Sequence, residues 1–201
     1  DGCQHAVFEI LSNSIDEARE GHGNLITLTR YADKSIEVED FGRGCPVDWN
    51  ANEKRFNWEL VFCELYAGGK YSNNEGENYE YSLGLNGLGS CATQYASEYM
   101  DVTVWRDGKK YELHFKKGKV VGKKGQELTI SPADRKKTGT TIKWRPDLEV
   151  FTDIDIPEEF FKDVLHRQAV VNAGITFRFR NQNGNKFEVT DYVYENGILD
   201  Y

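Results

Sequence analysis

The chain lacks any apolar run long enough to cross a membrane, and no basic-then-apolar signal opens it. Its four cysteines, at 3, 45, 63 and 91, include no CxxC pair, and its histidines at 5, 22, 114 and 166 are as scattered. That spacing excludes the common zinc sites, and a chain of 201 residues needs no disulfide framework to hold a core. Buried free thiols in a reducing cytoplasm, with no membrane association, are the expectation. There is no internal repeat, no low-complexity segment and no interdomain linker. The first residue is Asp1, not Met, as expected of a piece cut from a longer protein.

What is present fits one globular domain over residues 1–201: 39% hydrophobic, 29% charged and 13% aromatic. The net charge of −8, from 25 basic and 33 acidic residues, argues against tight binding of duplex DNA by this chain alone. One stretch runs the other way. Arg106 to Lys124 hold eight basic side chains against Asp107 and Glu112, read in the first instance as the solvated face of a hairpin and in the second as a DNA contact.

Periodicity predicts a helix over 3–20, with Val7, Ile10, Leu11, Ser14 and Ala18 on one side and Gly21 stopping it. Strands are expected at Ile26–Tyr31 and Ser35–Asp40, then a helix over 57–67. Residues 68–84, polar and rich in Gly, Asn and Ser, read as a long loop, of a kind that is usually functional or disordered, before a helix from Gly87 to Ser97. Strands follow at 102–106, 110–115, 126–130 and 139–145, a helix over 157–172, and strands at 175–180 and 186–190. Hairpins mixed with helices give an α+β fold: a mixed, mostly antiparallel sheet with helices stacked on one face.

Three constellations carry chemistry. His5, Glu9, Asn13, Asp16 and Glu20 form a polar stripe on the first helix. Such a stripe is ordinarily a wet surface, yet Asn13 is a mediocre helix former. Glu9 could take a proton from a water attacking a phosphoryl group, with His5 one turn away, and Asn13 could offer its carbonyl oxygen to magnesium. Next, Asp40 ends a strand ahead of Phe41-Gly42-Arg43-Gly44-Cys45-Pro46. It is placed either to accept a hydrogen bond from an amino group such as adenine's or simply to brace a tight turn. Third, Gly84-Leu85-Asn86-Gly87-Leu88-Gly89 enters a helix as an anion cradle would, matching neither the Walker nor the Rossmann glycine order. Thr140 opens a strand, where its hydroxyl could bond Asp40, a water or adenine.

Taken together, His5 to Ala18, Asp40 to Pro46, Ala67-Gly68-Gly69-Lys70-Tyr71, Gly84 to Gly89 and Lys137-Thr138-Gly139-Thr140 resemble the GHKL ATPases, most closely the B subunits of gyrase and topoisomerase IV. The resemblance spans nearly the whole chain and implies the two-layer Bergerat fold and an ATPase that drives DNA strand passage. It implies Glu9 as general base with His5 supporting it, Asn13 as a magnesium ligand, Asp40 reading the adenine amino group and Thr140 helping through water. Gly84, Leu85, Asn86, Gly87, Leu88 and Gly89 would wrap the phosphates, with Lys70 and Tyr79 in the same lid. Gly42, Arg43, Gly44 and Pro46 would border the adenine, Arg43 stacking or pairing with Glu17. Arg106 would stand at the pocket mouth that aminocoumarins exploit in such enzymes.

The chain departs from the family pattern at Ser12, Phe41, Glu80, Leu83 and Asn86, but keeps Glu9, Asn13 and Asp40. The cofactors implied are ATP and Mg2+. The partners implied are a DNA-cleaving A-type subunit, duplex DNA, and a second copy of the chain once ATP binds and an N-terminal arm is present. Without that arm and the transducer domain that follows in the family, this piece is expected to be mainly monomeric and to turn over poorly. The alternatives are another ATPase of the same fold, such as a MutL-like mismatch-repair protein, or a degenerate nucleotide-binding switch.

Overall fold

The computed structural model describes residues 2–64 and 88–200. Helix α1 (Gly2–Arg19) buries Cys3, Ala6, Val7, Ile10, Leu11, Ser14 and Ala18, steps of three and four that define one face. Its end is closed by two backbone bonds, Gly21 N–H to Ala18 O and His22 N–H to Glu17 O, both 3.0 Å, around Gly21 at φ +89°. This is a Schellman cap, which uses the carbonyls that the last turn leaves free.

The chain then lays down β1 (Leu25–Arg30), β2 (Ile36–Glu39), the small ladder β3 (Trp49–Asn50) and β4 (Arg55–Phe56), and α2 (Asn57–Phe62). After the residues not described come α3 (Leu88–Tyr95), β5 (Ser97–Arg106), β6 (Lys109–Lys116), β7 (Lys119–Val120), β8 (Thr129–Pro132) and β9 (Gly139–Pro146). Helix α4 (Glu158–Val171), β10 (Thr176–Asn183), β11 (Lys186–Tyr192) and a 3₁₀ turn at Gly197–Asp200 complete it.

Among the described residues the main sheet runs β11-β10-β1-β2-β9-β5-β6-β7, with β8 also on β6. Among its described strands only β1 and β10 pair in parallel. One row crosses six strands: Phe179 opposite Leu28, then Val38, Ile142, Val102 and Leu113, each buried. One residue along, Thr27, Glu39, Thr141, Thr103 and Glu112 form the matching row on the other face. A sheet apolar on one side alone gathers its helices there. Accordingly α1 packs on β1, β2 and β9, α3 on β5 and α4 on β10. Phe161 of α4 stacks on Phe179 at 5.8 Å between ring centroids, and the buried Trp144 donates its indole N–H to Thr93 O of α3 at 3.0 Å.

The expected α+β architecture is the one found, with differences at boundaries. Strand β5 starts at Ser97 rather than 102, because a bulge between Ser97 and Tyr99 breaks the alternation that marks a strand. Strand β8 sits two or three residues later than expected; it is an exposed edge with no apolar face to reveal it. Helix α2 stops at Phe62, and residues 65–67 of the expected helix lie outside the described residues, as does the 68–84 loop. The two-residue ladders β3–β4 and β7 leave no readable period. All four thiols are free, with Cys3, Cys45 and Cys91 buried, and burial pushes Cys3 up to about 11 and Cys63 to about 12. No helix among the described residues is long and apolar enough to cross a membrane.

Trp144→Phe removes the donor to Thr93 O and leaves a small void beneath α3. A loss of about 2–4 kcal/mol in unfolding free energy is expected, read from denaturant midpoints. A loss below about 0.5 kcal/mol would mean that α3 is not anchored through this residue.

Candidate functional site

Asp40 follows the last residue of β2, where the chain turns away across the end of the sheet. Its carboxylate is 8% exposed and fully engaged on one side. Ser14 of α1 donates its hydroxyl to Oδ2 at 2.6 Å, and the N–H groups of Gly42 and Thr140 donate to Oδ1 at 2.9 and 3.2 Å. Backbone pairing closes the same point, Asp40 N–H to Thr140 O at 2.9 Å. Burial pushes the Asp40 carboxyl up to about 6, against those hydrogen bonds, which favour its charge, and with a small upward push from Glu17. Each carboxylate oxygen has roughly two acceptor positions, so Oδ2 keeps one free for a further donor.

Thr140 differs from expectation in one respect. Its backbone amide, not its hydroxyl, reaches Asp40; the hydroxyl oxygen accepts from Cys45 N–H at 2.8 Å. The preceding residue shows why the approach is so close. Gly139 has φ +147°, and a Cβ there would stand 2.2 Å from Asp40 O. Only glycine lets β9 and the Asp40 turn meet at this spacing.

The 42–46 turn is held from two sides. Arg43 donates from its backbone N–H and its Nε to Glu17 Oε2, at 2.9 and 3.2 Å, and from Nη2 to Glu17 Oε1 at 2.7 Å. Arg43 therefore pairs with Glu17 rather than stacking alone, and that buried glutamate packs under Gly42. Gly44 O accepts from Arg106 Nη1 at 2.7 Å, and Pro46 is buried behind it. Arg106 is only 6% exposed, so its guanidinium works as a brace for the turn as well as a wall. With Phe41, Gly42, Arg43, Asp107 and Thr138 it lines a depression of about 430 Å³.

Along α1, Asn13 adjoins Ser14 and Glu9 lies one turn before. At 1.5 Å of rise per residue, Glu9 to Ser14 is about 7.5 Å along the axis. Asn13 is 5% exposed, so this part of the polar stripe is not a wet surface. Its Oδ1 is a buried acceptor with no hydrogen-bond partner among the described residues, and Ser90 Oγ on α3 is another such atom. Both residues, with Glu9, line a small cavity of about 10 Å³. Ile10, Phe62, Met100 and Ile142 line most of the rest of that cavity, so what fits magnesium here is the unpartnered carbonyl oxygen of Asn13, an oxygen donor of the kind that ion takes. Glu9 is 26% exposed at its side chain and lies against the first turn of α3: a Cβ on Gly89 would stand 2.1 Å from Glu9 Oε2. His5 Nε2 is 3.5 Å from Glu9 Oε1, yet the imidazole is 76% exposed. It can hold the carboxylate only from the solvent side.

The structure thus forms two groups along α1: Glu9 and Asn13 against α3 with Gly89 and Ser90, and Asp40 with Ser14, Gly42 and Thr140, Arg43, Gly44, Pro46 and Arg106 lying around the turn. Lys70, Tyr79, Gly84, Leu85, Asn86 and Gly87 lie outside the described residues, and Leu88 is described only as the first residue of α3. Sequence reasoning missed Ser14, placed among the apolar positions, and Ser90. A serine on a buried helix face, beside an asparagine with no reason to be helical, was the available signal for the first. Among the described residues no group of three or more His, Cys, Asp or Glu side chains converges.

Comparison with known proteins gives the family. The chain is 35% identical to the DNA gyrase B protein of Thermotoga maritima over all 201 residues, covering 30% of that protein. It is 35% identical to the DNA topoisomerase 4 B protein of Salmonella typhimurium over 198 residues, 98% of this chain and 30% of that one. The chain therefore spans about a third of the length of these curated relatives. Among solved structures, the topoisomerase IV ATP-binding domain of Francisella tularensis, in complex with a small-molecule inhibitor, superposes with a TM-score of 0.78 at 30% identity, covering 96% of this chain and 50% of that one. The ATPase domain of Thermus thermophilus gyrase B, in complex with an aminocoumarin, gives 0.75 at 29%, covering 96% and 46%. Residues 1–150 match the profile of the histidine kinase-, DNA gyrase B- and HSP90-like ATPases, and the chain belongs to that family.

Proposed function

We propose that this chain is the ATPase domain of a gyrase B- or topoisomerase IV B-type protein, and that it binds Mg-ATP and hydrolyses it to drive DNA strand passage. The observation that carries the reading is the run Glu9–Asn13–Ser14 along α1, with Ser14 bonded to the buried Asp40. It sets a carboxylate for each end of a nucleotide along a single helix.

Asp40 accepts the adenine amino group on the remaining position of Oδ2, while Ser14, Gly42 and Thr140 fix the carboxylate's orientation. Thr140 contributes through an ordered water. Arg43 and Pro46 border the base, and Arg106 closes the mouth that an aminocoumarin would use. The first turn of α3 offers backbone N–H groups to the phosphates, and the roles implied for Lys70, Tyr79 and Gly84 to Gly87 fall on residues outside those described. Asn13 Oδ1 would hold magnesium, which when bound would supply positive charge to offset that of the phosphates.

Glu9 orients a water in line with the terminal phosphate and takes its proton as the new O–P bond forms. The bond to the bridging oxygen breaks, leaving ADP and phosphate. His5 steadies Glu9 from outside. Partners follow from the gyrase and topoisomerase IV relatives: a DNA-cleaving A-type subunit, duplex DNA, and a second copy of the chain that closes on ATP. The reaction is cytoplasmic, and the 201 residues form the single ATPase domain of a longer polypeptide.

Three outcomes test this. In the full-length protein, Glu9→Ala should keep ATP binding by calorimetry and lose hydrolysis by roughly 10²–10⁴-fold in a coupled phosphate-release assay; undiminished turnover contradicts the role. Asp40→Asn should abolish measurable ATP binding, since the substituted amide turns a donor toward the adenine amino group.

The third concerns pH. A carboxyl raised from 3.8 to about 6 on folding binds its proton more tightly in the folded chain. The stability of the nucleotide-free chain therefore falls as pH rises from about 4 to about 6, by about 3 kcal/mol at most. Asp40→Asn should flatten that part of the pH–stability curve, measured by urea unfolding. Unchanged pH dependence would mean that Asp40 is not buried as a charge.

A further inference from the structure

The chain's charge is segregated. Residues 106–145 carry 13 basic and 4 acidic side chains, net +9, while the rest carries 12 and 29, net −17. These forty residues are not scattered in space. From the end of β5 they build β6, then β7 and β8 on the free edge of β6, and finally β9. Lys116 pairs opposite Lys119 at one end of β6, and Lys109 opposite Pro132 at the other. The 121–128 loop runs from β7 to β8, and Gly108 O accepts from Ala133 N–H at 2.9 Å, which brings Arg135 over the β5–β6 turn.

The cations on this edge are largely unneutralised. Lys109, Lys116, Lys119, Lys123, Lys124, Arg135 and Lys136 are all exposed, and none lies within 4.0 Å of a carboxylate among the described residues. Two of the four local acids are already engaged, Asp107 by Arg106 and Glu112 by Lys110. Surface charges are normally interspersed by sign. Seven unpaired cations on one edge of an acidic domain repel one another unless a polyanion covers them.

We propose that this edge docks the phosphate backbone of duplex DNA. The eight residues of β6 extend for about 26 Å, most of one turn of B-DNA, so cations at both ends reach phosphates along one duplex. The chemistry favours a duplex over a single strand. The aromatic face available, Trp105, is already covered by Lys137 at 4.1 Å and approached by Lys110 at 5.9 Å, leaving no stacking platform. It favours nucleic acid over an acidic protein, because the segment exposes only Val121 and Ile130 as large apolar anchors. The acidic remainder orients the approach by repelling DNA from every other face. The reading that best accounts for the basic stretch is thus the DNA contact, not the solvated hairpin. It gives the DNA of the proposed function a place on this domain, but stands on charge alone and does not depend on the nucleotide site.

The test is fluorescence anisotropy of a labelled duplex, about two helical turns long, with the 201-residue chain across a salt series. A dissociation constant of about 10⁻⁵ M at low salt is expected, with a log–log salt slope of about −3 to −4 for some four phosphates. The combined variant Lys109→Ala, Lys119→Ala, Arg135→Ala, Lys136→Ala should bind at least tenfold more weakly with a shallower slope. A variant of equal charge elsewhere, Arg19→Ala, Lys54→Ala, Arg167→Ala, Lys186→Ala, should bind within about threefold of the parent. Equal losses in both variants, no salt-dependent binding by the parent, or tighter binding of a single strand or a polyglutamate peptide would each overturn the proposal. ATP binding is measured on the same samples. Its absence with duplex binding intact would sink the ATPase reading alone.

Discussion

The structure depends on one buried carboxylate. Asp40 lies out of water at the end of β2, and desolvation works against its charge more strongly than any single contact supports it. What holds it is a set of donors from three separate parts of the chain: Ser14 on α1, Gly42 in the turn and Thr140 on β9. A buried charge with an acceptor position left over is costly in the free chain and useful only when something arrives to donate to it. That imbalance is typical of a binding site, where stability has been given up for recognition.

The rest of the fold can be seen as the means of assembling those donors. The sheet must carry its apolar rows on one face so that α1 lies across β1, β2 and β9. Only then does Ser14, buried on the helix face that packs, come within 2.6 Å of Asp40. The same helix phase turns Asn13 into the narrow gap against α3 and leaves Glu9 at the first turn of that helix. Glycines at 89 and 139 are needed because at each a Cβ would collide with the very residue being positioned. Arg43, Glu17 and Arg106 brace the turn between, and their hydrogen bonds are short and largely shielded from solvent.

Much of this was legible in the sequence, for physical reasons. Long periodic segments such as α1 and α4 announce themselves, as does the Asp107-Gly108 turn. Asn13 stood out as a mediocre helix former, whereas Glu9 and Asp40 each had an ordinary reading beside the chemical one, the wet side of a helix and the brace of a tight turn. What was illegible depended on contacts distant in sequence. Ser14 and Asp40 are 26 residues apart, and Thr140 is 100 beyond Asp40, so no local pattern reveals that an amide rather than a hydroxyl closes the site. The bulge at the start of β5 and the exposed edge strand β8 hid themselves by removing the alternation on which strand recognition rests. The basic stretch was visible, but its meaning was not. Only the pairing of β7 and β8 on one edge of β6 shows that its charges share a surface.

The central claim is that Asp40 is a charge held in reserve for a donor on the adenine ring. The most direct measurement is a carboxyl ¹³C NMR titration of Asp40 in the 201-residue chain, with and without adenine nucleotide. The account predicts a midpoint near pH 6 in the free chain, as burial dictates, moving to lower pH when nucleotide binds and favours the carboxylate. A midpoint near pH 4 in the free chain, or one that nucleotide does not move, would contradict it.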